Sequence, residues 1–283
     1  MSGHEDAEAR SGAHSGWLGP VVAFFVLTFV LSWGVWVGLY QSGVLDEPLA
    51  RILGTWGPTV SAFVLVGWTR GRRGVGELAA RHVRVRANPI WYLLALGGTA
   101  AIVVPAILVH RALGGVVVEA NDPAQWYLVF PALVQILFLS VLGEEAGWRG
   151  YAAPPLQRRL GPLAASLIVG IVWGIWHLPL WWMGENFHGQ LPFALFVLQS
   201  VGLSVLLTWV YNRTRGSLFL VALFHAASNL TIGVAPLLPQ YTGGSIRPLL
   251  ISVGALCVAA VAVVVGERWY RPRTFTGEHE AVH

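Results

Sequence analysis

The stretch Gly143-Glu144-Glu145-Ala146-Gly147-Trp148-Arg149 sets three ionisable side chains at the end of an apolar run that opens near Trp126. A charged side chain at the centre of a bilayer costs about 2.5–3.5 kcal/mol on insertion scales, so such residues mark function. Two later apolar runs each hold one conspicuous histidine. His177 closes Trp173-Gly174-Ile175-Trp176-His177, and His225 opens His225-Ala226-Ala227-Ser228-Asn229. The three segments are expected to meet and build one polar site within the membrane.

Composition supports that setting. The chain has 283 residues, is 55% hydrophobic and only 11% charged, where soluble domains carry about 25% charged residues. With repeated apolar stretches near the length of a bilayer crossing, this predicts an all-α polytopic membrane protein with a polar intramembrane cavity. All 18 basic residues are arginine, which with abundant Ala, Gly and Val is the codon bias of a GC-rich, bacterial genome. The arginines flank apolar spans, so the net charge of +4 does not signal a nucleic-acid partner. A single cysteine, Cys257, excludes disulfides and thiolate metal clusters within one chain.

Worked outward, residues 1–16 read as a disordered polar tail, 17–266 as the transmembrane domain and 267–283 as a second tail. The first span covers 17–40, too long for a signal-peptide core and without a basic region before it. A second follows at about 52–69, then the arginine loop 70–86, and a third at about 90–110. Further spans are expected from 126, at 162–183, 191–211, 217–234 and 249–265, about eight in all. On that count the arginine-rich loops share one side, with Arg51, Arg111 and Arg247 as exceptions. Both termini are then cytoplasmic, in a bacterial inner membrane.

Depth tests whether the polar residues can meet. If the fourth helix runs on to Pro154-Pro155, Glu144 lies roughly 20 Å from its arginine-flanked end at 1.5 Å per residue. By the same rise His177, His225 and Asn229 lie roughly 24, 15 and 21 Å deep. Were the helix to stop at Gly147, Glu144 would be interfacial and the constellation would fail. Glu145 and Arg149 are spaced i, i+4 in the favoured ion-pair order. Glu144 is turned about 100° away on the wheel, free for chemistry. His225 and Asn229 share a face, while His110 and His188 near loop ends read as interfacial.

A carboxylate and two imidazoles can polarise a water in two ways. In one, Glu144 is the general base and His177 orients the water, while His225 and Asn229 donate to the oxyanion. In the other, Glu144, His177 and His225 bind a divalent metal such as zinc, which activates the water. The compact His-Glu-x-x-His signature is absent, and no serine or cysteine nucleophile stands out.

Glu-Glu-x-x-x-Arg, then aromatic-x-x-x-His, then His-x-x-x-Asn on successive apolar helices resembles the CPBP family. That family comprises type II CAAX prenyl endopeptidases and bacterial bacteriocin-processing or immunity relatives. The resemblance spans about residues 126–232. It implies an eight-helix fold with a catalytic cavity open to the cytoplasm and the bilayer. It further implies Glu144, His177, His225 and Asn229 as catalytic, with Glu145 and Arg149 supporting. The family's second motif usually begins with Phe where this chain has Trp173, which predicts a changed pocket shape. Trp173 and Trp176 are expected to line a groove for a hydrophobic or lipidated peptide or protein substrate, reached from membrane lipid. Two other classes compete: a non-catalytic immunity-type binder, and a small transporter using Glu144 and the histidines as carriers.

Overall fold

The computed structural model describes residues 16–118, 123–184 and 187–269, and among them every regular element is helical. Nearly all of the two expected tails, 1–15 and 270–283, lies outside the described residues, as do 119–122 and 185–186. Helix α1, Leu18–Trp33, continues with π geometry over Gly34–Leu39. The short α2, Glu47–Thr55, starts where the Asp46 carboxylate accepts from the Leu49 amide at 3.0 Å, with Pro48 in the first turn. Helices α3, Gly57–Ala80, and α4, Pro89–Ala112, follow, the latter capped by Asn88. Next comes a long helical run through α5, Val129–Ile136, α6, Leu142–Glu145, and α7, Ala153–Trp176. Helices α8, Phe193–Arg213, α9, Leu218–Val234, and α10, Arg247–Gly266, complete the order.

Among the described residues, six helical runs are long and apolar enough to cross a bilayer. One of them, Ala124–Trp182, has 59 residues, and α9 is a shorter apolar helix outside the six. The expected eight is reached only by counting the long run twice and adding α9. The long run divides at Gly161, where φ is +83°, a conformation glycine adopts without a Cβ penalty. The expected loop 70–86 is corrected: the helix breaks only at Gly71, φ +61°, then resumes through Arg72 and Arg73 to Ala80.

The path through the fourth span does not stop at Gly147. It widens to π geometry over Leu137–Val141 and again over Ala146–Ala152, on either side of the two glutamates. Such bulges cluster at functional sites because they re-aim side chains without ending the helix.

Small residues let this segment approach its neighbours. In lipid there is little hydrophobic drive between helices, so van der Waals packing of close backbones carries the association. A Cβ on Gly143 would meet the Thr55 carbonyl at 2.7 Å, and one on Gly147 would meet Pro58 at 2.6 Å. Gly170 lies equally tight against the Val201 backbone, which docks α7 on α8. Fully buried Trp36, Trp148 and Trp176 fill the centre, with ring centroids 4.7 and 5.7 Å apart in the pairs Trp36–Trp176 and Trp148–Trp176.

Gly147→Ala therefore overpacks a backbone contact, at a cost of about 1–3 kcal/mol. Thermal unfolding in detergent should show a lowered midpoint, whereas Gly254→Ala, whose Cβ meets nothing within 4 Å, should leave it unchanged.

Candidate active site

Three helices bring the motif residues together. Glu144 and Glu145 are buried on α6, His177 follows the last residue of α7, and His225 is buried on α9. Glu145, Arg149 and His225 form one buried network. Arg149 Nη1 donates to both Glu145 carboxylate oxygens, at 2.9 and 3.2 Å. His225 Nδ1 donates to Glu145 Oε1 at 2.8 Å. The spacing i, i+4 made the first contact legible, but the second joins residues 80 apart in sequence. Arg149 also lies over the Trp173 ring, 4.7 Å from its centroid, a cation–π contact that further balances the buried charge.

Glu144 has a different environment. Trp173 Nε1 donates to its Oε2 at 2.6 Å, and Oε1 makes no hydrogen bond among the described residues. The Trp173 carbonyl accepts from His177 Nδ1 at 2.8 Å, and the Trp173 ring meets the His225 ring edge-on at 5.0 Å. Trp173 thus touches Glu144, Arg149, His177 and His225. A phenylalanine there would supply no N–H, so the indole's bond to Glu144 depends on this departure from the motif.

The hydrogen bonds fix how the imidazoles present themselves. A carbonyl only accepts, so His177 carries its proton on Nδ1, and its neutral ring offers a lone pair at Nε2. His225 Nδ1 is likewise held by a carboxylate. Both histidines line a cavity of about 770 Å³, together with Glu144, Trp173 and Asn229. The Asn229 side chain is half-buried there and makes no hydrogen bond among the described residues.

Trp176 departs from expectation. It is fully buried against Trp36 and Trp148 and is not among the residues lining the cavity, so it packs the core instead of forming a groove. The metal set does not assemble either. Among the described residues no three of His, Cys, Asp and Glu stand close enough to hold a metal ion, so Glu144, His177 and His225 do not fit that group as placed.

Two cavity residues escaped sequence reasoning. His188, expected at the interface, lines the cavity and stacks on His177 at 5.8 Å between centroids. Arg51, read as a stray loop charge, also lines it, held by Glu47 at 2.7 Å and by the Met183 carbonyl at 2.9 Å. Neither belongs to a motif, and only the fold of the 183–192 connection onto α2 reveals them.

Residues 125–231 match the Rce1-like type II CAAX prenyl endopeptidase family. The matched stretch contains all three motifs. Among curated proteins, CAAX prenyl protease 2 of Methanococcus maripaludis is 24% identical over 265 residues. That alignment covers 87% of this chain and 93% of the relative, so the similarity extends well beyond the motifs.

The two glutamates should separate in stability. Glu145→Gln leaves the Arg149 charge buried without its counter-ion, a loss of about 3–5 kcal/mol. Glu144→Gln keeps an oxygen that accepts from Trp173, so its unfolding midpoint should stay near that of the native chain.

His188 adds a pH dependence. An ordinary imidazole titrates near 6.5; burial, with the Arg51 guanidinium beside it, pushes His188 down to about 3. Between these values the unfolded chain binds the proton and the folded chain does not, so stability falls as pH drops through that window. Replacing His188 by Gln should flatten the fall of the melting temperature with acidification.

Proposed function

We propose that this chain is an intramembrane endopeptidase of the type II CAAX protease kind. It hydrolyses a peptide bond of a hydrophobic or lipid-bearing polypeptide. The observation that carries this reading is the state of Glu144: buried, fixed through one oxygen by Trp173, with the other oxygen unbonded beside a cavity large enough for a peptide segment. The family match and the similarity to a named CAAX protease support the same class.

The reaction follows from the donors and acceptors present. Water enters between Glu144 and His177. The Nε2 lone pair of His177 accepts one water hydrogen and orients the oxygen, and Glu144 takes the other proton as general base. The water oxygen bonds to the scissile carbonyl carbon, and negative charge moves to the carbonyl oxygen. The Asn229 amide donates to that oxyanion. His225 joins it when protonated at both nitrogens, with Glu145 as counter-ion on the far side. Collapse breaks the C–N bond, and Glu144 delivers its proton to the leaving amine. General-base catalysis contributes about 10²–10⁴-fold and a single oxyanion donor about 10²–10³-fold.

The donors as placed favour a water activated by Glu144, and this reading assigns no step to a metal. Purified protein in detergent should accordingly keep its turnover in excess chelator. Loss of turnover in chelator, restored by zinc, would replace this mechanism with the metal-bound one.

The decisive comparison is of protein termini in membranes from cells expressing the native chain or Glu144→Gln at equal levels. New termini should appear only with the native chain, while the variant stays folded. Trp173→Phe should retain cleavage but lower kcat about 10-fold or more, since a hydrogen bond to a charged group contributes about 1.5–3 kcal/mol. Equal termini from Glu144→Gln and the native chain would refute Glu144 as the base.

A further inference from the structure

Most of the described arginines and the outer lining of the cavity lie at opposite ends of the helix bundle. Arg81 Nη1 donates to the Gly150 carbonyl at 3.2 Å and to the Tyr211 hydroxyl at 3.0 Å. Arg84 reaches the Arg215 carbonyl at 2.9 Å, and Arg213 pairs with Glu267 at 2.6 Å. These contacts gather the segments at 81–88, 150–161, 213–217 and 267–269 at one end. Exposed Arg158 and Arg159 lie in the second of these segments, just before the break at Gly161.

Another set of contacts gathers the remaining turns. Arg51 Nη2 donates to the Met183 carbonyl at 2.9 Å, the Val118 amide to the Tyr241 carbonyl at 2.8 Å, and Trp181 Nε1 to the Leu191 carbonyl at 2.9 Å. Among the described residues this end carries only Arg51, Arg111 and Arg247 as arginines. The cavity draws its outer lining from this end, through Arg51, Phe187, Gln190, Gln240 and Tyr241. Gln190 and Gln240 are exposed, so the cavity reaches the surface there. No residue of the arginine-rich segments lines it.

Short loops rich in arginine stay on the cytoplasmic side of a membrane. We infer that the cavity opens on the opposite, extracytoplasmic face and takes polypeptide segments presented there. This reverses the cytoplasm-facing cavity implied by the family resemblance. It also narrows the substrate class to membrane-bound segments outside the cytoplasm, held against the outer leaflet by apolar residues or an attached lipid. The substrate part rests on the hydrolase reading; the direction of the opening does not.

Sidedness is measured without turnover, so failure of the hydrolase reading and failure of this inference are distinguishable. In a Cys257→Ala background, single variants Gln190→Cys and Arg158→Cys are expressed in the full chain. Cells are exposed to a membrane-impermeant maleimide before and after permeabilisation, and labelling of the detergent-solubilised protein sets the maximum for each site. Gln190→Cys should label fully on intact cells and Arg158→Cys only after permeabilisation. The reverse pattern, or equal labelling of both positions on intact cells, overturns the inference. Gln240→Cys serves as the second cavity-end position should Gln190→Cys fail to fold, with the same two outcomes.

Discussion

The buried triad of Arg149, Glu145 and His225 is the constraint on which the site depends. A guanidinium and a carboxylate, both wholly removed from solvent, are tolerable only with close, directed bonding. Their spacing on one helix meets that need locally. The third partner, on α9, converts a local ion pair into a tie between two helices. Breaking the carboxylate out of the set would strand a charge. That cost holds α6 and α9 in one register and fixes which nitrogen His225 turns to the cavity.

Around this tie the neighbouring helices are brought in by size and not by polarity. Glycines at 143 and 147 let the motif segment lie against the α2–α3 junction, and Gly170 admits α8. Trp36, Trp148 and Trp176 then fill the volume at the centre of the bundle. The π-shaped turns on both sides of the glutamates serve the same end, because they turn adjacent carboxylates toward different partners without ending the helix. One glutamate is thereby committed to structure, and its neighbour keeps an oxygen for chemistry.

Trp173 shows how far a motif can be read. Its position in an aromatic-x-x-x-His pattern marked it as a pocket residue, and it does line the cavity. What the pattern did not convey is that the indole N–H is spent on Glu144 while the backbone carbonyl orients His177. Trp176, three residues on, read equally well as a groove residue and lies in the core, because helix phase points it away. His188 and Arg51 carried no motif at all and reach the cavity through long-range folding of a connection.

The sequence by itself determined the membrane class, the helical content and the identity of the three motif segments. Hydropathy, the scarcity of charge and the i, i+4 spacings are local properties, and local properties are legible along a chain. The tertiary structure alone decided that the fourth path continues past Gly147, which carboxylate bonds which histidine, and at which end of the bundle the cavity opens. Those depend on contacts between residues far apart in sequence and on where each helix bulges or breaks, and neither is set by spacing along a single element.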